Sequence, residues 1–571
     1  MCRTLTMSCW LLMAAAGCEL ASPSECRQDY ECAVGQVCAS AAASEGSCIA
    51  AEPGAERTFG EAELAFQTGE EAYLVNIFAL PRGPAADPSF VRYALNVAGT
   101  TDAQDNALRL RRVNVASGQK RWRQRFEFDR WRAEQTLKWS SELRRGLRRW
   151  RAAGRRQVDC DCGAESMCWQ GTCTESPTVA FVDGSEIDTR LLAVVGQQSA
   201  SPINVLLDAS ISDAATEQAA EDAARAFAET FANELELLGL GTHAGPADRN
   251  KDGRLTVVFT NETAPDVPLD NVGFFNPADF LPAEQTDATG NATDLLWARL
   301  PGTTNPIEIT KDVATGTLAH EYTHLASFAV RVWDRPDDPV PESLWLDEGL
   351  AHLLEDLTGW GPSNVPVVAE ALPNWSLAGF GRASGGATNV DTPAQRGQSY
   401  LLLRHLIDMQ ARARGARDAA SETTQAVAVE IVSSLISEPQ VGYEHTLFVD
   451  AGPDAVAEWL LGVFTTGNDL DVTRESARRS TYLSPAPHPV TGHQVGITTH
   501  GELPDARGET IYLGGLDFLD VLLGADTFAD SELQASGSAF YVVTATAPGT
   551  HVLTATGDAQ TAFHLSVEQI R

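Results

Sequence analysis

The pattern of apolar and polar positions changes several times along the 571 residues. Residues 58–116 alternate, as in "EAYLVNIFAL" and "SFVRYALNVAG", and read as strands. From about residue 176 the texture is mixed. "INVLLDAS" (203–210) and "RLTVVF" (254–259) predict strands. "SDAATEQAAEDAARAFAETFANELELLG" (212–239) predicts a helix, with Ser212 or Asp213 as its cap, Phe227 and Phe231 one turn apart, and Gly239 at its end. "TLAHEYTHLASFAVRV" (317–332) predicts a second helix, with Leu318, Leu325 and Phe328 available for burial. "PESLWLDEGLAHLLEDLTG" (341–359) predicts a third, with Pro341 in its first turn and Gly359 at its end. Its leucines 346, 350, 353, 354 and 357 make one apolar stripe, and Glu348 points the other way beside Leu344 and Ala351. "SYLLLRHLIDMQARA" (399–413) is a further amphipathic helix. Beyond about residue 480 the chain turns to Gly, Thr and Val in alternation, which predicts a C-terminal β-sandwich over 481–571.

Charge and cysteine usage extend this outline. The net charge is −35, which argues against nucleic acid as a partner because phosphate binding needs a basic face. The first 18 residues combine an early Arg, a short apolar run and small residues, the form of an export signal. Ala15-Ala16-Gly17-Cys18 resembles a bacterial lipobox, which makes Cys18 a lipidation site and the chain a cell-envelope lipoprotein, with plain secretion as the alternative. Glu19, rather than Asp, after Cys18 favours the outer membrane by analogy with lipoprotein sorting. Beyond the leader, the cysteines fall into two sets of four, Cys26, Cys32, Cys38, Cys48 and Cys160, Cys162, Cys168, Cys173. Even, clustered counts in an exported chain read as disulfides. Residues 19–57 are therefore a Cys-rich module and stalk, and 117–175 hold the second cluster behind an arginine-rich run. That run, 117–157, carries Trp122, Trp131, Trp139 and Trp150 and predicts helix. It is a basic face for an anionic membrane beside the lipid anchor, a cleavable hinge after a propeptide covering 19–175, or a solvated linker helix.

The chemistry concentrates in 176–480. His320 and His324 stand four apart, so a helix places both imidazoles on one face. Glu321 sits beside that face, where a general base can reach a water held by an ion. A catalytic zinc needs a third protein ligand, and Glu348 on the next helix is the candidate. His352 and Glu355 lie near Glu348 on that helix; an ordinary surface role is expected for them, with support of the metal ligands from behind as the alternative. A second candidate site is "DRNKDGR": Asp248, Asn250 and Asp252 before Gly253 mimic the first half of a calcium loop, although Phe259 occupies the twelfth position, where such loops carry a bidentate Glu. The alternative is a tight Asp-Gly turn into the strand at Leu255.

His320-Glu321-x-x-His324 followed by "WLDEGLAHLLED" resembles the gluzincin metallopeptidases, and "DRNKDGRLTVVFTN", "VGFFNPADF" and "GQSYLLLRHLIDMQ" look like segments of the hyicolysin-like family. The resemblance covers about 176–480. It implies an α/β (α+β) metallopeptidase core between the N-terminal disulfide-rich module and flanking β domains. It also implies Zn2+ on His320, His324 and Glu348, Glu321 as base, and a protein or peptide substrate. Asp347 stands where many relatives have Asn. No Tyr precedes Gly397, where aminopeptidase-like relatives carry an oxyanion partner, which leaves Tyr400 or Arg396 for that role. The Gly-x-Met-Glu-Asn motif of aminopeptidases is missing from the chain, which favours an endopeptidase. The rival expectation is a surface binding protein on a catalytically inactive metallopeptidase fold.

Overall fold

The computed structural model describes residues 162–513 apart from short stretches, of which the longest are 373–391 and 468–481, and outside that span the backbone of the strands named below. The leader with Cys18 and the arginine-rich run 117–157 lie outside the described residues. Residues 1–57 form one compact unit and 58–571 another. In the first, strands Glu25–Cys26, Gln36–Ala39 and Gly46–Ala50 make a small antiparallel sheet with the last strand in the middle.

In the second unit, the N-terminal and C-terminal β regions are not separate. Strands Thr58–Leu64, Ala72–Pro81, Phe90–Gly99 and Arg109–Val113 interleave with the strands between Phe518 and Ile570 in one five-stranded and one four-stranded antiparallel sheet. Ala72–Pro81, for example, pairs with Ser538–Thr544 on one side and Thr561–Ile570 on the other. Alternation marks a strand but says nothing of its partner, so the two β regions expected at 58–116 and 481–571 share their sheets. The expected start at 481 also shifts. Residues 482–513 fold into two small hairpins, and Leu483, Val495, Ile497 and Leu513 are buried in the core of the helices.

The described centre is a six-stranded mixed sheet of β1 (Thr178–Ala180), β2 (Glu186–Val195), β3 (Ile203–Asp208), β4 (Leu255–Phe259), β5 (Gly273–Phe275) and β6 (Leu295–Ala298), in the order β1-β2-β3-β4-β6-β5. Strands β3, β4 and β6 are parallel, and β5 runs antiparallel at the edge. The runs "INVLLD" and "LTVVF" are buried at every position because both faces of the sheet are covered. Val205, Leu207, Val257 and Phe259 enter the helical core, whereas Leu206 and Val258 join Met167, Trp169, Phe181 and Trp297 on the opposite face. Met167 and Trp169 come from a hairpin next to the Cys162–Cys173 disulfide.

Helix α1 (Ala214–Leu237) is capped by Asp213, whose side chain accepts from the Thr216 amide, and the Phe227 and Phe231 rings pack tilted with centroids 5.0 Å apart. Leu238 is its C-cap, and Gly239 follows at φ +71°. Helix α2 (Lys311–Phe328) carries the His-Glu-x-x-His residues and is buried almost throughout its length, which makes it a core helix. Helix α3 (Leu344–Glu355) begins after Ser343, so Pro341 precedes the helix instead of sitting in its first turn. Its leucine stripe, Leu344, Ala351 and Glu348 are all buried, because α2 and the next helices cover it on several sides. Among the described residues no helix is long and apolar enough to cross a membrane.

Helices α4 (Val365–Ala371) and α5 (Pro393–Ala413) complete the wall behind α3. Two glycines set the spacing. A Cβ on Gly349 would lie 2.7 Å from the Ser399 Cβ, and one on Gly397 would lie 2.2 Å from the Val367 carbonyl oxygen. The N-terminal end of α5 is thereby pressed between α3 and α4. We expect Gly397→Ala to lower the thermal midpoint, at a cost of about 1–3 kcal/mol, because a backbone carbonyl cannot swing aside as a flexible side chain would. A melt followed by circular dichroism checks this, and an unchanged midpoint would contradict the packing described.

Candidate metal centre

Helix α2 turns His320 and His324 toward α3, and Glu348 faces both. His320 Nε2 lies 3.4 Å from one Glu348 oxygen and His324 Nε2 lies 3.6 Å from the other. These separations are long for hydrogen bonds, which cluster at roughly 2.7–3.2 Å. They suit two ligands of one ion, because zinc bonds of about 2.0–2.1 Å at tetrahedral angles put neighbouring ligand atoms roughly 3.3–3.4 Å apart. His320, His324 and Glu348 are all buried, and His324 Nε2 has no hydrogen-bond partner. An orphaned imidazole nitrogen in a dry interior is costly, and an ion at this point removes that cost. The residues therefore fit zinc.

Each imidazole is held from behind. His320 Nδ1 meets Glu355 Oε1 at 2.6 Å, and His324 Nδ1 meets Asp347 Oδ2 at 2.7 Å. A carboxylate at Nδ1 fixes the tautomer that presents the Nε2 lone pair. Glu355 and His352, expected on the surface, are buried. The helix has no solvent face here, since His352 Nδ1 rests on Asn364 Oδ1 at 2.8 Å and Glu355 reaches His320 on α2. Burial alone would raise the Glu355 carboxyl, but His352 and His320 outweigh it and hold Glu355 at about 2. Burial likewise disfavours a charged His320, yet Glu348 and Glu355 raise it to about 10. The cluster draws a positive charge to this spot.

Glu321 is buried beside the ligands and accepts from the Phe275 backbone N–H at 3.0 Å, which ties it to the edge strand β5. Arg396, near the start of α5, places Nη1 3.0 Å from Glu348 Oε2. It also lines a cavity of about 90 Å³ with Val272, Thr317, His352, Pro366 and Arg507. Tyr400 does not reach the centre. It is buried against Asp356, which also binds Arg404, so Tyr400 is withdrawn from the role of oxyanion partner and Arg396 is the residue of the pair that the fold brings near.

The second candidate, Asp248, Asn250 and Asp252, lies just before β4 in a tight turn with Lys251 at φ +63° and Gly253 at φ +75°. Asp248 accepts from the Gly253 amide and Asp252 from the Arg254 amide. Asn250 does not join them as a ligand. Its Oδ1 accepts from the Asp252 amide, and its Nδ2 donates to Thr293 and to the Cys168 carbonyl. Asp248 groups instead with His243 and Asp294, whose ligand atoms lie within 4.8 Å of one another, and no sequence motif announced Asp294.

Searches find neither a family model nor a curated protein that matches the chain. The reading of the centre rests on its geometry. We expect Glu355→Gln and Asp347→Asn each to weaken zinc binding about 10–100-fold while the fold persists. Competition with a chromophoric zinc chelator measures this, and wild-type affinity in both variants would refute the positioning role.

Proposed function

We propose that the chain is an exported zinc-dependent endopeptidase of the gluzincin type, in which His320, His324 and Glu348 hold the metal and Glu321 is the general base. The observation that carries the proposal is the pair of Nε2 atoms facing the two oxygens of one buried carboxylate, with each Nδ1 already anchored. When bound, zinc supplies Lewis acidity toward a water and a peptide carbonyl.

The chain's own residues supply the rest. Glu321 takes the proton of the attacking water and returns it to the leaving amine, which is the work of a carboxylate beside the ligands but not among them. Its bond from the Phe275 amide sets its carboxylate against the edge of the sheet. Asp347 and Glu355 keep both imidazoles oriented. Arg396 braces Glu348 and is the cation that this reading assigns to the oxygen of the substrate carbonyl as charge builds there. The cavity beside Arg396 receives a substrate side chain in this scheme.

Glu321→Gln keeps the shape of the site and removes the base. It should retain one equivalent of zinc and lose cleavage of casein by about 10²–10⁴-fold. Zinc content by mass spectrometry and a chelator-sensitive protease assay check both halves. Wild-type proteolysis in the variant, or a zinc-loaded wild type that cleaves no peptide library, would overturn the proposal.

A further inference from the structure

Away from the zinc cluster, an oxygen-rich site lies where the 248–254 turn meets the sheet. We propose that Asp248, Asp252 and Asp294, with Asn204, bind a calcium ion that fastens the disulfide hairpin to the sheet. The carboxylates come from two places, the turn before β4 and the residue before β6. Asp248 and Asp294 present ligand atoms within 4.8 Å of each other. Asp294 is fully buried and Asp248 is 2% exposed, so little water reaches either.

Two buried acceptors at this point lack partners. Asp248 Oδ2 accepts from Gly253, but Oδ1 has no hydrogen-bond partner. Asn204, on β3, is fully buried, and its Oδ1 is also without a partner. Its Nδ2 lies 3.5 Å from Asp252 Oδ2, long for a hydrogen bond. Turning the amide over brings Oδ1 toward Asp252, an arrangement that an intervening cation stabilises. The neighbouring positive groups are engaged elsewhere. Lys251 donates to the Gly245 carbonyl, Arg249 Nε to the Phe280 carbonyl, and Arg254 to the Ser166 carbonyl. Burial first, and then Asp294, raise both Asp248 and Asp252, the latter to about 7, and outweigh His243 and Lys251 near Asp248 and Arg254 near Asp252.

The donors select the ion. Oxygen donors with several carboxylates suit calcium, whereas zinc prefers nitrogen and sulfur. The nearby imidazole is committed, with His243 Nε2 on Asp294 at 2.8 Å and Nδ1 on the Tyr322 hydroxyl at 3.0 Å. The same turn binds the hairpin at two points, Asn250 Nδ2 to the Cys168 carbonyl and Arg254 to the Ser166 carbonyl. A calcium ion here stiffens the turn, and through it the seat of Met167 and Trp169 on the sheet.

The test is a calorimetric titration of the full-length, zinc-loaded protein with calcium chloride, paired with thermal melts. Wild type should take up one calcium with a Kd on the order of 10⁻⁴ M and melt at a higher temperature when saturated. The double variant Asp248→Asn, Asp252→Asn should bind at least tenfold more weakly and show no calcium-dependent rise. Glu348→Gln, which removes a zinc ligand, should keep the calcium response, so a failure at one site is distinguishable from a failure at the other. Absence of both heat and a midpoint shift in wild type overturns the proposal without reference to any variant. A double variant that titrates like wild type overturns it as well.

Discussion

The structure around α2 and α3 depends on how a buried carboxylate, Glu348, is compensated. Its oxygens face two imidazole nitrogens from the neighbouring helix and a guanidinium from α5. Around it stand three further carboxylates, Glu321, Asp347 and Glu355. With neutral imidazoles the cluster is strongly negative in a region of low dielectric, where an uncompensated charge is costly. A proton on His320 offsets part of that charge, and a divalent cation between the Nε2 atoms and Glu348 offsets more. Burial thus makes this cluster a favourable place for positive charge, independently of any motif.

Burial in turn follows from packing. Helix α2 is covered by the sheet, α1 and α3, and α3 by α2 and α5. Gly349 and Gly397 let the helices close to a distance at which the short reach from Arg396 to Glu348 is possible. Farther along the same pair of helices, Arg404 meets Asp356 and Asp408, and Asp356 accepts from the Gly496 amide. This second ionic layer fastens the hairpins of 482–513 onto the helices, so the segment that looked like the start of a separate β domain is part of the wall of the centre.

The legible part of the site was the part written in local spacing. His320, Glu321 and His324 lie within one helical turn, and periodicity alone puts both imidazoles on one face. Glu348 was legible as an acid on the far side of a leucine stripe. Asp347 appeared only as a departure from a resembling family's usual Asn, and the structure turns it into the anchor of His324. For Glu355 the surface role was favoured over the supporting one, because its partner, His320, is on another helix. Arg396 and Tyr400 are four residues apart, and sequence favoured Tyr400, but α3 and α5 advance together: Arg396 meets Glu348, and Tyr400 is carried on to Asp356. Strand pairing between the two ends of the chain left no local trace at all, and neither did Asp294 beside the 248–254 turn.

The most direct test of the account is the zinc X-ray absorption spectrum of the purified, zinc-loaded protein. The account predicts one zinc per chain with two imidazole nitrogens and oxygen donors, all at about 2.0–2.2 Å. A protein that retains no zinc after dialysis, or a spectrum dominated by sulfur at about 2.3 Å, would contradict it.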